Sequence, residues 1–182
     1  ADAAMIVTPY YVKPTQSGLY NHFVSVADSS NVPIILYNVP SRTGVDLSIE
    51  TTIALSRHPN IYGLKDATAD LERVGLIRSV CGKDFKLYSG DDATACDFVL
   101  NGGDGVISVT ANVAPQKVSK MVRYAQSGMQ SKAKKIDKEL VFLHKDLFCE
   151  SNPIPVKWAL STMEKISSPY LRPPLSVLSS KY

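Results

Sequence analysis

Apolar and polar positions along this chain follow two periods in turn. Short apolar runs occur at Met5-Ile6-Val7, Pro33-Ile34-Ile35-Leu36, Ile61-Tyr62-Gly63-Leu64, Phe85-Lys86-Leu87-Tyr88 and Gly105-Val106-Ile107. They are strand length, and several are nearly continuous, the pattern of strands covered on both faces of a sheet. Between them the spacing turns helical. Leu19, Phe23, Val26 and Ala27 share one face, as do Leu71, Val74 and Ile77 behind Asp70, a predicted N-cap. Ser48 is placed to cap a helix through Ile53 and Leu55 that Pro59 stops, and Val118, Met121, Val122 and Ala125 form another face between Pro115 and Gly128. The strand ends recur every 24 to 28 residues. Regular βα units of that length predict an α/β fold with a parallel sheet, either doubly wound or closed as a barrel.

After Gly128 the pattern is helical only. Ile136, Leu140, Leu143 and Leu147 form a stripe, and Pro153 and Pro155 open a helix around Val156 to Met163. The end, from Pro169 to Tyr182, is rich in Pro and Ser and reads as loop. The predicted division is therefore a βα part at 1–128 and a helical part at 129–182.

Composition narrows the function classes. The 182 residues are 45% hydrophobic and 20% charged, as in a globular protein. Twenty Lys and Arg against seventeen Asp and Glu leave a net charge of +3, too small and scattered to imply nucleic acid. The basic cluster Lys132, Lys134, Lys135 and Lys138 is interspersed with Asp137 and Glu139 and reads as a solvated helix face. No apolar run approaches the roughly 18 residues of a membrane span, and the first residues lack the pattern of a signal peptide. Cys81, Cys96 and Cys149 form no Cys-x-x-Cys pair, and His22, His58 and His144 lack metal-ligand spacing. A cytoplasmic protein without metal, nucleic acid or membrane partner is expected.

The polar residues gather where each strand ends: Tyr10 and Tyr11, Tyr37 and Asn38, Lys65 and Asp66, Ser89 to Asp92, and Ser108 to Asn112. In βα barrels that rim holds the active site, and in open sheets the ligand crevice lies there. Lys65 follows Ile61, Gly63 and Leu64, which predicts a partly desolvated amine. A free lysine, with a pKa of about 10.4, is neutral only about once in 2,500 at pH 7, and only the neutral amine attacks a carbonyl to form a Schiff base. Tyr37, on a neighbouring strand end, is placed to shuttle protons, and Arg42 offers a planar fork for a carboxylate. Two other motifs carry less. Asn101-Gly102-Gly103-Asp104-Gly105 precedes a strand and reads as a turn, not a phosphate cradle, and Asp91 and Asp92 read as helix capping rather than a metal site.

The string Tyr37-Asn38-Val39-Pro40-Ser41-Arg42-Thr43-Gly44 sits between Thr8-Pro9-Tyr10-Tyr11 and Gly63-Leu64-Lys65-Asp66-Ala67-Thr68. Further on come Leu87-Tyr88-Ser89-Gly90-Asp91-Asp92, Gly105-Val106-Ile107-Ser108-Val109-Thr110-Ala111-Asn112 and Asn152-Pro153-Ile154-Pro155-Val156-Lys157. In this order they resemble the dihydrodipicolinate synthase (4-hydroxy-tetrahydrodipicolinate synthase) family over essentially the whole chain. The resemblance implies a (β/α)8 TIM barrel followed by a C-terminal helical domain, with this chain starting at the fourth strand. Roughly another hundred N-terminal residues would then carry the first three βα units.

It also implies condensation of pyruvate with L-aspartate 4-semialdehyde in diaminopimelate and lysine biosynthesis, without a cofactor, through a covalent imine of pyruvate on Lys65. By that resemblance Tyr37 is the proton donor and acceptor beside Lys65. Tyr11 crosses a dimer interface to complete the neighbour's proton relay. Arg42 receives the aldehyde's carboxylate, the Ile107 backbone contacts pyruvate, and Tyr10 belongs to a site for the inhibitor L-lysine. A homo-oligomer, a dimer of dimers, is implied. Asp66, Ala69 and Val12 depart from residues common in the family. Related pyruvate aldolases, of the N-acetylneuraminate lyase or keto-deoxy sugar acid type, share the lysine and tyrosine; Arg42 in its Pro40-to-Gly44 setting favours the synthase. A non-catalytic relative is the remaining alternative, against which Lys65, Tyr37 and Arg42 stand together.

Overall fold

A computed structural model describes residues 1–182. Five strands, β1 (Ala4–Val7), β2 (Ile34–Asn38), β3 (Ile61–Asp66), β4 (Lys86–Ser89) and β5 (Gly105–Val106), form one parallel sheet in the order β1-β2-β3-β4-β5. The helices are α1 (Gln16–Ser29), α2 (Pro40–Thr43), α3 (Ile49–Leu55), α4 (Glu72–Cys81), α5 (Ala95–Leu100), α6 (Thr110–Val113), α7 (Pro115–Gln126), α8 (Gln130–Asp146) and α9 (Ile154–Thr162). Each strand pairs with the next in sequence. A doubly wound sheet reverses its order at a switch point, so that expected alternative is excluded.

The chain divides into two compact units, Ala1–Ile107 and Ser108–Tyr182. The boundary expected near 128 is the Gly128 turn between α7 and α8, inside the second unit, because α7 packs along α8 and α6 against α7 and α9.

In the first unit the helices cover one face of the sheet. Leu19, Phe23 and Ala27 of α1, Leu55 of α3 and Val74 and Ile77 of α4 close on alternate strand residues Ile34, Leu36, Leu64 and Leu87. Burying side chains of this size contributes about 1.5–3 kcal/mol each. The near-continuous apolar runs had predicted cover on both faces. In this chain the other face, with Met5, Val7, Ile35, Tyr37 and Tyr88, is only partly shielded, since every helix of the core stands on the first.

Local signals explain the helix ends. The Thr15 hydroxyl accepts from Gly18 N and the Ser48 hydroxyl from Thr51 N, each an N-cap. The N-cap expected at Asp70 falls instead at Leu71, which has helical dihedrals; Asp70, one residue before it, still accepts from Glu72 N at 3.0 Å. The turn before β5 is held by Asp104, which accepts from Leu87 N and pairs with Arg78.

The second unit is helical. Val118, Met121 and Ala125 of α7, Ile136 and Leu140 of α8 and Leu147 just beyond it are buried, as their spacing predicted, whereas Val122 and Leu143 are half-buried. Ala133, outside the predicted stripe, is buried as well. His144, also buried, meets the Thr110 hydroxyl at 2.9 Å through Nδ1. Residues 169–182 form no helix or strand. No helix of the chain is long and apolar enough to cross a membrane.

Candidate active site

Strand register decides which side chains meet at the rim. β2, β3 and β4 run one or two residues past their apolar runs, and Tyr37, Lys65 and Tyr88 become Cα partners in one row. Partners in a parallel sheet point to the same face, here the one the helices leave free. The next row, Asn38, Asp66 and Ser89, points to the helix side and is buried. Backbone bonds continue the ladder past the strands: Thr8 N to Tyr37 O, Ala67 N to Asn38 O, Gly90 N to Asp66 O and Ile107 N to Ser89 O, all between 2.7 and 3.0 Å. The rim is thus stiff where it carries its chemistry.

Lys65 is 9% exposed, and its Nζ lies 4.1 Å from the centroid of the Tyr37 ring. A cation over a ring face at this distance is attracted by the ring quadrupole. Burial pushes the Lys65 amine below the ordinary lysine range; Asp92 opposes this and Arg42 adds to it. Burial likewise raises the Tyr37 phenol, with Arg42 pulling it back. Tyr88 is raised mainly by burial, and by Tyr62 and Asp104. An amine inclined to lose its proton therefore touches a phenol inclined to keep its own, the pairing that carbonyl addition and proton return require.

Arg42 lies in α2, a single turn opened by Pro40 and closed by Gly44 in the left-handed conformation. Its side chain is exposed, and its charge acts on both Lys65 and Tyr37. Behind it the Thr43 hydroxyl bonds Val39 O and Val45 O and receives the Thr8 hydroxyl at 3.3 Å. Ile107 follows β5 and is partly exposed.

Tyr10 and Tyr11 stand apart from this pair in an exposed loop. Val12 N bonds Tyr10 O at 2.8 Å across Tyr11, whose φ is +70°, the rare positive-φ form of the γ-turn. The structure thus brings together Lys65, Tyr37 and the charge of Arg42, and leaves Tyr10 and Tyr11 facing outward.

Sequence reasoning missed Arg73. It is buried in α4 and reaches Asp66 at 2.8 Å, on the residue next to Lys65. The available signal was a charge four positions before Ile77, on the buried stripe. Asp91 accepts from Thr94 N and its hydroxyl and so closes the turn ahead of α5; the expected helix cap is not made, since the N-cap of α5 is Thr94 without a side-chain capping bond. Nowhere do three His, Cys, Asp or Glu side chains gather as metal ligands.

The sequence profile of the Dihydrodipicolinate synthetase family matches residues 1–182. The chain belongs to this family. A 4-hydroxy-tetrahydrodipicolinate synthase of Psychromonas ingrahamii is 56% identical over 180 residues, 99% of this chain and 61% of that protein. The crystal structure of the chloride-inhibited dihydrodipicolinate synthase of Acinetobacter baumannii complexed with pyruvate superposes with a TM-score of 0.96 at 49% identity, over 100% of this chain and 62% of that one. The Cyanidioschyzon merolae enzyme with lysine bound gives 0.93 at 36% identity, over 99% of this chain and 61% of that one. The chain spans about 61% of the length of the curated family members it matches.

Proposed function

We propose that this chain carries the Schiff-base site of an enzyme that condenses pyruvate with L-aspartate 4-semialdehyde, and that its sheet is the part of a (β/α)8 barrel from the fourth strand onward. The observation that carries the reading is the contact between Lys65, its amine pushed down by burial, and Tyr37. The neutral amine attacks the keto carbon of pyruvate, and Tyr37 donates to the oxygen that leaves as water, giving an imine. Loss of a methyl proton from the imine gives an enamine, whose carbon attacks the aldehyde. The aldehyde's own amino group then displaces Lys65 and closes the ring. Atoms and electrons balance without a cofactor.

The exposed guanidinium of Arg42 takes the aldehyde's carboxylate. Ile107 has its N–H committed to Ser89 O, which leaves its carbonyl to accept from the hydroxyl of the carbinolamine that pyruvate forms on Lys65. The outward loop of Tyr10 and Tyr11 suits an interface between copies, with Tyr11 entering the neighbour's proton relay and Tyr10 beside an inhibitory lysine. Chain-ordered pairing of five strands, with one face helix-covered and the other lined by Tyr37, Lys65 and Tyr88, supports the barrel.

Incubation with pyruvate and borohydride, followed by peptide mass spectrometry, tests this. The reduced adduct should map to Lys65, and aldehyde added before borohydride should deplete it. An adduct on another lysine alone, or none, overturns the assignment.

A further inference from the structure

On the helix side of the rim, directly behind the Lys65–Tyr37 pair, lies a second charged group that the reaction does not consume. Asn38 and Asp66, the residues after Tyr37 and Lys65, are register partners and both buried. Arg73 joins them. Its Nε donates to Asp66 at 2.8 Å, Nη1 to Asp46 at 3.3 Å and Nη2 to Leu47 O at 2.7 Å. Asn38 closes the circuit, donating to Asp46 at 2.7 Å and accepting from Leu47 N at 3.0 Å. The second Asp66 oxygen accepts from Thr68 N. Burial alone would push the guanidinium down, but Asp66, Asp46 and Asp70 outweigh it and hold Arg73 cationic. Arg73 thus ties α4 and β3 to the segment that follows Arg42, and Asn38 joins that segment to β2.

The charge arithmetic matters for Lys65. Adjacent Cα atoms are about 3.8 Å apart, so Asp66 is the nearest carboxylate to Lys65 along the chain. An unpaired carboxylate in a poorly solvated site favours a neighbouring ammonium over the free amine. The groups that face Lys65 are Tyr37 from β2, Tyr88 from β4, Arg42 from α2 and Asp92 beyond β4. Of the charges, Asp92 and Arg42 act on it, while the Asp66 side chain points to the opposite face and is paired there with Arg73. No lysine replaces this fork, since three guanidinium nitrogens serve three acceptors on two segments.

We propose that Arg73 is a positioning residue for the imine-forming amine: it cancels the buried charge of Asp66 beside Lys65 and pins the two strand ends in register. The proposal rests on the reading of Lys65 as the Schiff-base lysine.

The test reads Lys65 without pyruvate. Trace acetic anhydride labels free amines in proportion to their neutral fraction, and peptide mass spectrometry across a pH series reports Lys65 alone. Arg73→Met should lower Lys65 labelling at neutral pH by about tenfold, the size of one unit of displacement. Asp66→Asn should move labelling the other way, and the Arg73→Met/Asp66→Asn double variant should return it to near the wild-type curve. Should Arg73→Met not fold, as judged by circular dichroism, the direction given by Asp66→Asn and the recovery in the double variant decide. An unchanged profile in Arg73→Met, or a double variant as displaced as the single, overturns the proposal. Pyruvate trapping, run separately, tests the imine reading: loss of that adduct with these shifts intact would sink the reading and leave the charge balance standing.

Discussion

Gly90 leaves the space that Lys65 occupies. A β-carbon built on Gly90 would stand 3.0 Å from Lys65 Cε and 2.8 Å from Ala67 Cβ, both closer than side chains pack. Gly90 N is fixed by its bond to Asp66 O, so the backbone has little freedom to retreat. Gly90→Ala should cost about 1–3 kcal/mol, the range of overpacking in a filled site, and should displace the lysine stem from the Tyr37 ring. Urea unfolding checks the first effect. The rate of pyruvate adduct formation at Lys65 checks the second and should fall by about tenfold or more; an unchanged rate would show that Ala67 alone absorbs the methyl group.

Two charges act on Lys65 with opposite sign, and removing each should separate them. Asp92 pulls the amine up, so Asp92→Asn should bring adduct formation in at lower pH. Arg42 pushes it down, so Arg42→Ala should move the same profile to higher pH while leaving the adduct itself. Arg42→Ala should also raise KM for the aldehyde by roughly one to two decades, since a charged hydrogen bond contributes about 1.5–3 kcal/mol and about 1.4 kcal/mol is tenfold. Steady-state kinetics with each substrate varied in turn provides the check. Equal damage to pyruvate and aldehyde would mean that Arg42 supports the fold of α2 instead.

The apolar runs announced all five strands, and four of the helices lay at visible helical spacing. The strand ends were less legible. Tyr37, Asn38, Lys65 and Asp66 read as polar strand ends, and what keeps them in the ladder was not visible: Asp46 and Arg73 satisfy the buried Asn38 and Asp66. Helix α5 gave no periodic signal: it has six residues and four of them are buried, so no polar face marks it. Lys65, Tyr37 and Arg42 stood out by motif, whereas the part played by Tyr88 and Arg73 needed the register. A residue two strands away in space has no fixed distance in sequence.

Lys65 also ties stability to pH. Burial holds its folded value below the ordinary 10.5. Below the folded value both states keep the proton, and the fold bears the full cost of a desolvated ammonium. Between the folded value and 10.5 the unfolded chain holds more protons, so this contribution to stability rises with pH. Lys65→Met removes the titration. The variant should be more stable than the wild type at pH 7, and its advantage should shrink as pH approaches 10.5. Urea midpoints for both proteins at pH 7 and near pH 10 measure this; a pH-independent difference would mean that packing, not charge, separates them.

Tyr11 combines 89% exposure with a φ of +70°, both unfavourable to an isolated tyrosine. A positive-φ γ-turn strains an L-residue by about 1–3 kcal/mol, and a bare ring leaves apolar surface in water. Lys13, two residues on, also has positive φ, and Tyr10 and Val12 between and beside them are exposed. Strain concentrated with exposed apolar groups fits a loop shaped for a contact outside the chain. Tyr11→Gly relieves the dihedral and deletes the ring, so the two effects part company. The protomer should unfold at equal or slightly higher urea concentration, while self-association measured by sedimentation velocity over a dilution series should weaken. Tyr11→Phe keeps the ring and should preserve association. If Tyr11→Gly assembles as tightly as the wild type, the ring contributes nothing to an interface and its proposed place in a neighbour's proton relay falls with it.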